Sequence, residues 1–545
     1  MKEQYVIGVD FGTLSARAVV CRASDGEILS EETSAYHHAV MTASLPDGTP
    51  LPEDWALQHP KDYTDALCKS VNSAVENSGV DPALIRGISV DFTVSTPLPV
   101  DEQGVPLCFK REFASRPHAY AKLWKHHATQ KEADELTALF AEKDPEMLML
   151  NGGRVTPECL FAKLLQILHE DEAVFHAMDR FVEAGDYIIE WLTGVPVRCL
   201  SVLRCKGFYR DGIGFPPSIE EKYPQLADVA HTKMRGVICP LTTKSGDLTP
   251  SAAEKLHLPA GIAVGVMQSD GLVALPAMGI CRPGDAMLSL GTSSCLSLAS
   301  DRLVPVVGPC NIAYESNLPG LYGYASGQAA LGDTLAWFVD HCVPEAIVQA
   351  AKEQGRSVHE ELSACASLMK PGQTGLLVLD WWNGDKSRAD MLSSGMILGM
   401  TLQTKTEEIY RALLEGLAFG IRRMMDAYES EGIQINTLYT GGGIPYKNPL
   451  FMQIISDVTG KQVMCSKPYP TACVGSAIMA AMAAGIYASI EDAVAHMNCL
   501  SETAYVPDMD NHRLFSAVYS EYCELTKYFS QENQVMHRLK NLAKG

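Results

Sequence analysis

The chain has 545 residues, 47% of them hydrophobic and 20% charged, with a formal net charge of −21 and a pI near 5.2. That is apolar material for a large core and chain enough for roughly three or four domains. The negative field excludes a nucleic-acid or anionic-membrane surface as the main partner. The start lacks a cationic, apolar leader, and the longest Ala- and Met-rich run, Ala477 to Tyr487, is too short to span a bilayer. The 16 cysteines are scattered without a CxxC pair, the pattern of reduced thiols in a cytoplasmic protein.

In chain order, Tyr5 to Asp10 predicts a buried strand that runs into Phe11-Gly12-Thr13, and Ala16 to Cys21 predicts its return. A strand–turn–strand with glycine at the bend can aim backbone N–H groups and a hydroxyl at an anion. Turn signals at Ser24-Asp25-Gly26, Pro46-Asp47-Gly48 and residues 101–104 punctuate the next stretch. Pro60 to Ser78 has the period of an amphipathic helix, and Gly87 to Asp91 reads as a strand ending again in a carboxylate. Residues 115–210 look largely helical, including Ala119 to Thr129 and Pro157 to Leu168.

Gly261 to Asp270 predicts a strand ending in an acid, with a helix after it. At Asp285 to Leu290 the opening pattern returns, with an apolar run into Gly291-Thr292-Ser293 and a second strand at Cys295 to Leu298. Helices are predicted at Gln328 to Phe338, Thr406 to Ser430 and Asn448 to Thr459, and Leu438-Tyr439-Thr440 leads into Gly441-Gly442-Gly443. After about Gly485 only one or two helical segments are expected. Two comparable halves that each open with a hairpin predict a duplicated α/β protein of two lobes, residues 1–279 and 280–545, hinged near Gly279 to Gly284.

The chemistry-bearing residues sit at strand ends. Asp10 is placed to hold Mg²⁺ beside phosphates at Gly12 and Thr13, or to make a local turn hydrogen bond. The three glycines 441–443 would let a flat ring lie against bare backbone. Asp270 is the candidate base for deprotonating an alcohol, with a helix N-cap as the alternative reading. Trp381-Trp382, His37-His38 and His126-His127 read as core or structural residues.

On Asp10-Phe11-Gly12-Thr13, Gly291-Thr292-Ser293, residues 394–399 leading to 408–415, and the glycines followed by Lys447-Asn448-Pro449, almost the whole chain resembles the FGGY carbohydrate kinases. Within them it is most similar to the bacterial ribulokinases, through residues 55–60, 116–127 and 379–384.

The resemblance implies a two-lobed, actin-like (ribonuclease H-like) α/β fold with an interlobe cleft, and ATP-dependent phosphorylation of the terminal hydroxyl of a ketopentose, L-ribulose first. Asp270 would take the hydroxyl proton, and Asp10, with Asp270, would position Mg²⁺. Gly12, Thr13, Gly291, Thr292 and Ser293 would face the phosphates of ATP, and Gly441, Gly442, Gly443 and Asn448 the nucleoside. Sugar contacts would fall on the strand end at Asp91 that carries Thr93, Val94 and Ser95, and on Trp124, Lys206 and Asp270. Without the resemblance, Trp124 reads as a core aromatic and Lys206 as a surface cation.

The resemblance further implies small-molecule partners only, the sugar and ATP, with a homodimer admitted as the assembly. Two departures keep other ketoses and sugar alcohols open. Ala325 stands where ribulokinases carry a glutamate, and Gln268-Ser269-Asp270-Gly271 replaces their Val-Asp-Ala-His. A silent sugar sensor on the same fold is the alternative of a different class.

Overall fold

Strand alternation in the first segment decides what packs on each side of it. In Tyr5–Phe11, Ile7, Val9 and Phe11 join a core with Tyr63, Leu67, Val71 and Ala74 of the helix Pro60–Ser78, while Val6, Gly8 and Asp10 point to the other face. The helix has the predicted bounds, because His59 caps it and Gly79 ends it in the left-handed conformation. The protein is described here from a computed structural model covering residues 3–306, 311–388, 390–441 and 443–544.

The chain forms two units. The first comprises residues 1–281, 312–323 and 469–499, so the chain returns to it twice, and the second comprises residues 282–311, 324–468 and 500–545. In the first, the sheet order is Lys244–Asp247, Ala263–Gly265, Ile85–Phe92, Tyr5–Phe11, Ser15–Arg22, Ile28–Ala35, and Gln268–Ser269 also pairs with Ile85–Phe92. In the second, it runs Leu500–Tyr505, Gln462–Ser466, Thr437–Gly441, Asp285–Leu290, Ser294–Ser300, Tyr322–Gln328. Each opening strand is antiparallel to its hairpin partner and parallel to the next strand inward. In each sheet a further parallel neighbour is followed by an antiparallel one.

The other face of the first sheet is covered by the helix Thr471–Ala483. Three strand glycines make room for it. A Cβ at Gly8 would lie 1.9 Å from the Cys473 carbonyl oxygen, one at Gly87 2.7 Å from that of Ala480, and one at Gly265 3.3 Å from that of Met479. Gly475, on the helix itself, makes room for the neighbouring helix Asp270–Ala277, since a Cβ there would lie 1.9 Å from the Val273 carbonyl oxygen. Backbone meets backbone at these points, which no larger residue permits.

Several predicted elements differ. Ala119 to Thr129 is not a helix: it holds the end of a short 3₁₀ turn, Pro117–Ala119, and the two-residue strand Ala121–Lys122 paired with Leu57–Gln58. The predicted strand Gly261 to Asp270 is two short strands, because the Val266 N–H turns aside to the Thr243 carbonyl. Gln328 ends a strand, and the helix placed there begins at Gly332. Beyond Gly485 the described residues form three α-helices, Ile490–Met497, Met509–Lys527 and Val535–Lys544. No disulfide joins the described cysteines, and no described helix is long and apolar enough to cross a membrane.

Candidate active site

In the first unit three parallel strands end in carboxylates. Asp10 and Asp91 are register partners on adjacent strands, with the rings of Phe11 and Phe92 stacked 4.7 Å apart on the opposite face. Gln268 pairs with Asp91, so the chain leaves that short strand directly at Asp270. The carboxyl ends of parallel strands are where open α/β sheets place ligands. Asp270 is the first residue of the helix Asp270–Ala277, not its N-cap, which is Ser269. Its Oδ1 accepts from the Gly271 N–H at 2.7 Å and the Ser269 hydroxyl at 3.4 Å.

Burial raises the pKa of all three carboxylates. Burial pushes Asp270 up to about 6, with the Asp10 charge adding to it and Gly271, Ser269 and Lys206 opposing. Burial and then the Asp10 charge hold Asp91 well above the usual carboxylate range, with Asp270 contributing. Burial also raises Asp10, against its contact with Asp91 and the nearby Arg17. Asp91 Oδ2 accepts from the Ser476 hydroxyl at 2.6 Å, while its Oδ1 is buried without a donor. Asp10 and Asp91, adjacent strand-end carboxylates with an orphaned Asp91 oxygen, offer oxygen donors of the kind a hard divalent cation takes. The residues present therefore fit Mg²⁺.

Beside them lies the first turn. The Gly12 N–H bonds the Ser15 carbonyl at 3.0 Å, and a Cβ on Gly12 would meet only that oxygen, at 3.6 Å. The Thr13 carbonyl accepts from Gln58 Nε2 at 2.7 Å, and its hydroxyl from Trp124 Nε1 at 3.2 Å. Trp124 is half-buried and tied to the phosphate turn.

Lys206 is no free surface cation: it pairs with Glu158 at 2.9 Å. Burial works against its ammonium, but the Glu158 carboxylate prevails and holds it above the ordinary lysine range. Thr93 is buried with its hydroxyl oxygen unpartnered, and Val94 is partly exposed beside it. Ser95 is engaged at both ends, its hydroxyl donating to Glu183 Oε1 at 2.6 Å and its carbonyl accepting from Lys163 Nζ at 2.7 Å.

The second unit carries the other turn. The Gly291 N–H bonds the Ser293 carbonyl at 2.9 Å, and Leu331 and Gly332 donate to the carbonyls of Thr292 and Gly291 at 2.7 and 3.0 Å. Gly291, Thr292 and Ser293 are exposed, and a Cβ on Gly291 would touch only the Ser293 carbonyl, at 3.7 Å. Gly441 ends its strand and Gly443 starts a short helix with open space where its Cβ would be. Gly442 lies outside the described residues. Asn448 caps the helix Pro449–Thr459 through the Phe451 N–H, and its Nδ2 donates to the Tyr410 hydroxyl, so its amide is held in place by the fold.

Ala325 lies on the strand Tyr322–Gln328. Ser326 is buried with its hydroxyl unpartnered, but strand alternation turns it to the face opposite Ala325. Trp381 is a core residue, and Trp382 is half-buried.

Sequence reasoning missed Ser476, Lys163, Glu183 and Glu158, which act from distant parts of the chain. Asp91 carried the same strand-end signal as Asp10 and was read only as a sugar contact.

The sequence profiles of the N-terminal and C-terminal domains of the FGGY family of carbohydrate kinases match residues 5–202 and 286–484. A protein named ribulokinase from Halalkalibacterium halodurans is 41% identical over 99% of this chain and 98% of its own length. One from Anoxybacillus flavithermus is 42% identical over 99% and 97%. Among solved structures, xylulose kinase from Rhodospirillum rubrum superposes with a TM-score of 0.80 at 24% identity, covering 96% of this chain and 99% of that one. Plasmodium falciparum glycerol kinase with ADP does so with a TM-score of 0.77 at 16% identity, covering 96% and 98%. The expected two-domain α/β sugar-kinase fold is therefore present, and with matches of this extent the chain belongs to the FGGY family of carbohydrate kinases.

Proposed function

We propose that this protein transfers the γ-phosphoryl group of ATP to the terminal hydroxyl of a ketopentose, with L-ribulose the leading acceptor, as a Mg²⁺-dependent cytoplasmic enzyme of L-arabinose catabolism. The observation that carries the reading is Asp270: a strand-end carboxylate, raised to about 6, beside two further carboxylates, in a chain whose near-full-length relatives are named ribulokinase. A base of that pKa is largely ionised at pH 7 and still basic enough to accept a proton.

Asp270 Oδ1 is held by the Gly271 N–H, which leaves Oδ2 to take the hydroxyl proton. As the sugar oxygen forms its bond to phosphorus, the bond from phosphorus to the departing ADP oxygen breaks. The products are sugar phosphate, ADP and a proton. Asp10 and Asp91 would hold Mg²⁺, which when bound neutralises phosphate charge. Trp124 offers an apolar face to sugar C–H groups while its N–H fixes Thr13 at the turn. Asp270→Asn tests the reading: nucleotide binding should survive and sugar phosphorylation should be lost, and near-normal turnover would remove Asp270 as the base.

Ala325 supports a second reading, in which the acceptor is another ketose or a sugar alcohol. A site built around a hydrogen bond discriminates strongly when that partner is missing. ADP release across pentuloses, hexuloses and pentitols separates the two by the ratios of kcat/KM. L-Ribulose ranking far below another polyol would select the second.

A further inference from the structure

Lys163 lies on the helix Leu160–Glu170, fully buried, and makes no ion pair among the described residues. Burial brings its pKa down to about 7, against the attraction of Glu183 and Glu158. An ammonium withdrawn from water without a touching carboxylate is costly, and an apolar side chain would fill the same space without that cost. What lysine adds is three donors on one atom. Lys163 Nζ donates to the carbonyl oxygens of Ser95 at 2.7 Å, Leu123 at 3.0 Å and Lys122 at 3.3 Å.

Those carbonyls belong to two segments that are far apart in sequence. Ser95 closes the strand end that carries the unpartnered Thr93 hydroxyl. Lys122 and Leu123 immediately precede Trp124, whose indole N–H is bonded to Thr13 on the phosphate turn. From the other side, Glu183 holds the Ser95 hydroxyl at 2.6 Å and the Thr96 N–H at 2.8 Å. Ser95 thus sits between a buried cation and a buried anion that meet through it.

We propose that Lys163 is a positioning residue for the sugar acceptor, using its three carbonyl contacts to fix the distance between the Thr93–Ser95 strand end and Trp124. This rests on the reading of those two segments as the sugar side of the kinase site. It does not depend on which polyol is the acceptor.

The test uses the acceptor that the wild-type enzyme turns over fastest in the polyol panel, so a panel that rejects L-ribulose changes the substrate and leaves the test intact. Lys163→Met should raise the acceptor KM by at least about 30-fold while the KM for ATP stays within about twofold. Because Lys163 acts through Trp124, Lys163→Met combined with Trp124→Phe should lose no more than about threefold beyond the worse single variant. Acceptor kcat/KM within about threefold of wild type, equal losses toward acceptor and ATP, or fully multiplicative effects would each overturn the proposal. Should the methionine variant not fold, Lys163→Arg decides: a bulkier buried cation must spread the two segments and weaken the acceptor KM by about tenfold or more, and an unchanged acceptor KM refutes the assignment.

Discussion

The two sheets have the same strand order and the same glycine turn after the opening strand, yet only one of them carries the acids. In the first unit the strands ending near the turn deliver Asp10, Asp91 and Asp270. In the second, the equivalent register partners are Ser289 and Gly441, and the acid on the opening strand, Asp285, starts it and faces Arg282 at 3.6 Å. The turns differ too. Thr13 is bound through its carbonyl and hydroxyl by Gln58 and Trp124, whereas Gly291 to Ser293 are exposed and, among the described residues, held through backbone groups. A duplicated scaffold supplies two anion-binding turns, and the chemistry was added to one copy through side chains at strand ends. Topology alone does not locate the chemistry; the residues closing each strand do.

The sharpest way to break this comparison is to neutralise an acid in each unit. Asp270→Asn should lower kcat by on the order of 10³-fold, while Asp285→Asn should leave kcat within about twofold. Comparable losses in steady-state assays would mean that the asymmetry does not mark the chemistry.

Glycines provide a contrast of another kind. Gly8→Ala and Gly475→Ala each place a Cβ 1.9 Å from a carbonyl oxygen and should cost about 3 kcal/mol or more in denaturant unfolding. Gly12→Ala and Gly291→Ala meet nothing closer than 3.6 Å, and neither glycine has a left-handed φ. Those two should fold with stability within about 1 kcal/mol of wild type. Nucleotide affinity should nevertheless fall by about tenfold, because the methyl group occupies the space reserved for phosphate.

The carboxylate cluster predicts a smaller effect that depends on pH. Asp270 is raised from an ordinary 3.8 to about 6, and Asp10 and Asp91 are raised as well. A carboxyl raised in the fold contributes stability that is fully present below its unfolded pKa and is lost as pH rises through its folded pKa. The metal-free protein should therefore lose stability from this cluster between about pH 4 and pH 7. Added Mg²⁺ should raise Tm by a few degrees at pH 7.5 and by less at pH 5. Thermal scans of Asp91→Asn should show this difference shrink; an equal Mg²⁺ effect at both pH values would remove the cluster as the cation site.

Much of the fold was legible where local pattern and tertiary need agree. The helix at Pro60–Ser78 has its period, its cap and its terminating glycine in the sequence, and the long helix Thr406–Glu429 was legible from its period. The strand-end acids were legible as well, because an apolar run that stops at a carboxylate is a visible signal. Residues 119–129 misled because their bonds go elsewhere: the Leu123 N–H reaches the Ala56 carbonyl, and His126 Nδ1 takes the Ala56 N–H. Partners from 70 residues away override a local helical preference. Ser476 and Lys163 gave no signal for a similar reason. A serine among alanines, or a lysine in an apolar helix, acquires meaning only when a carboxylate 385 residues distant, or three converging carbonyls, come into contact with it.

The helix Thr471–Ala483 has a consequence for the order in which the protein is made. It closes one face of the sheet whose first strand begins at Tyr5, filling the spaces left by Gly8, Gly87 and Gly265 and bonding Asp91 through Ser476. During synthesis the ribosome must therefore translate more than 480 residues before the opening strands obtain that cover. Until then the nascent chain carries an unclosed apolar face with a buried-type acid exposed on it, a state prone to association with other chains. The opening strands of the first unit and the helix that covers them lie far apart in the chain, so the acidic half of the site is completed only once the residues between them have been translated.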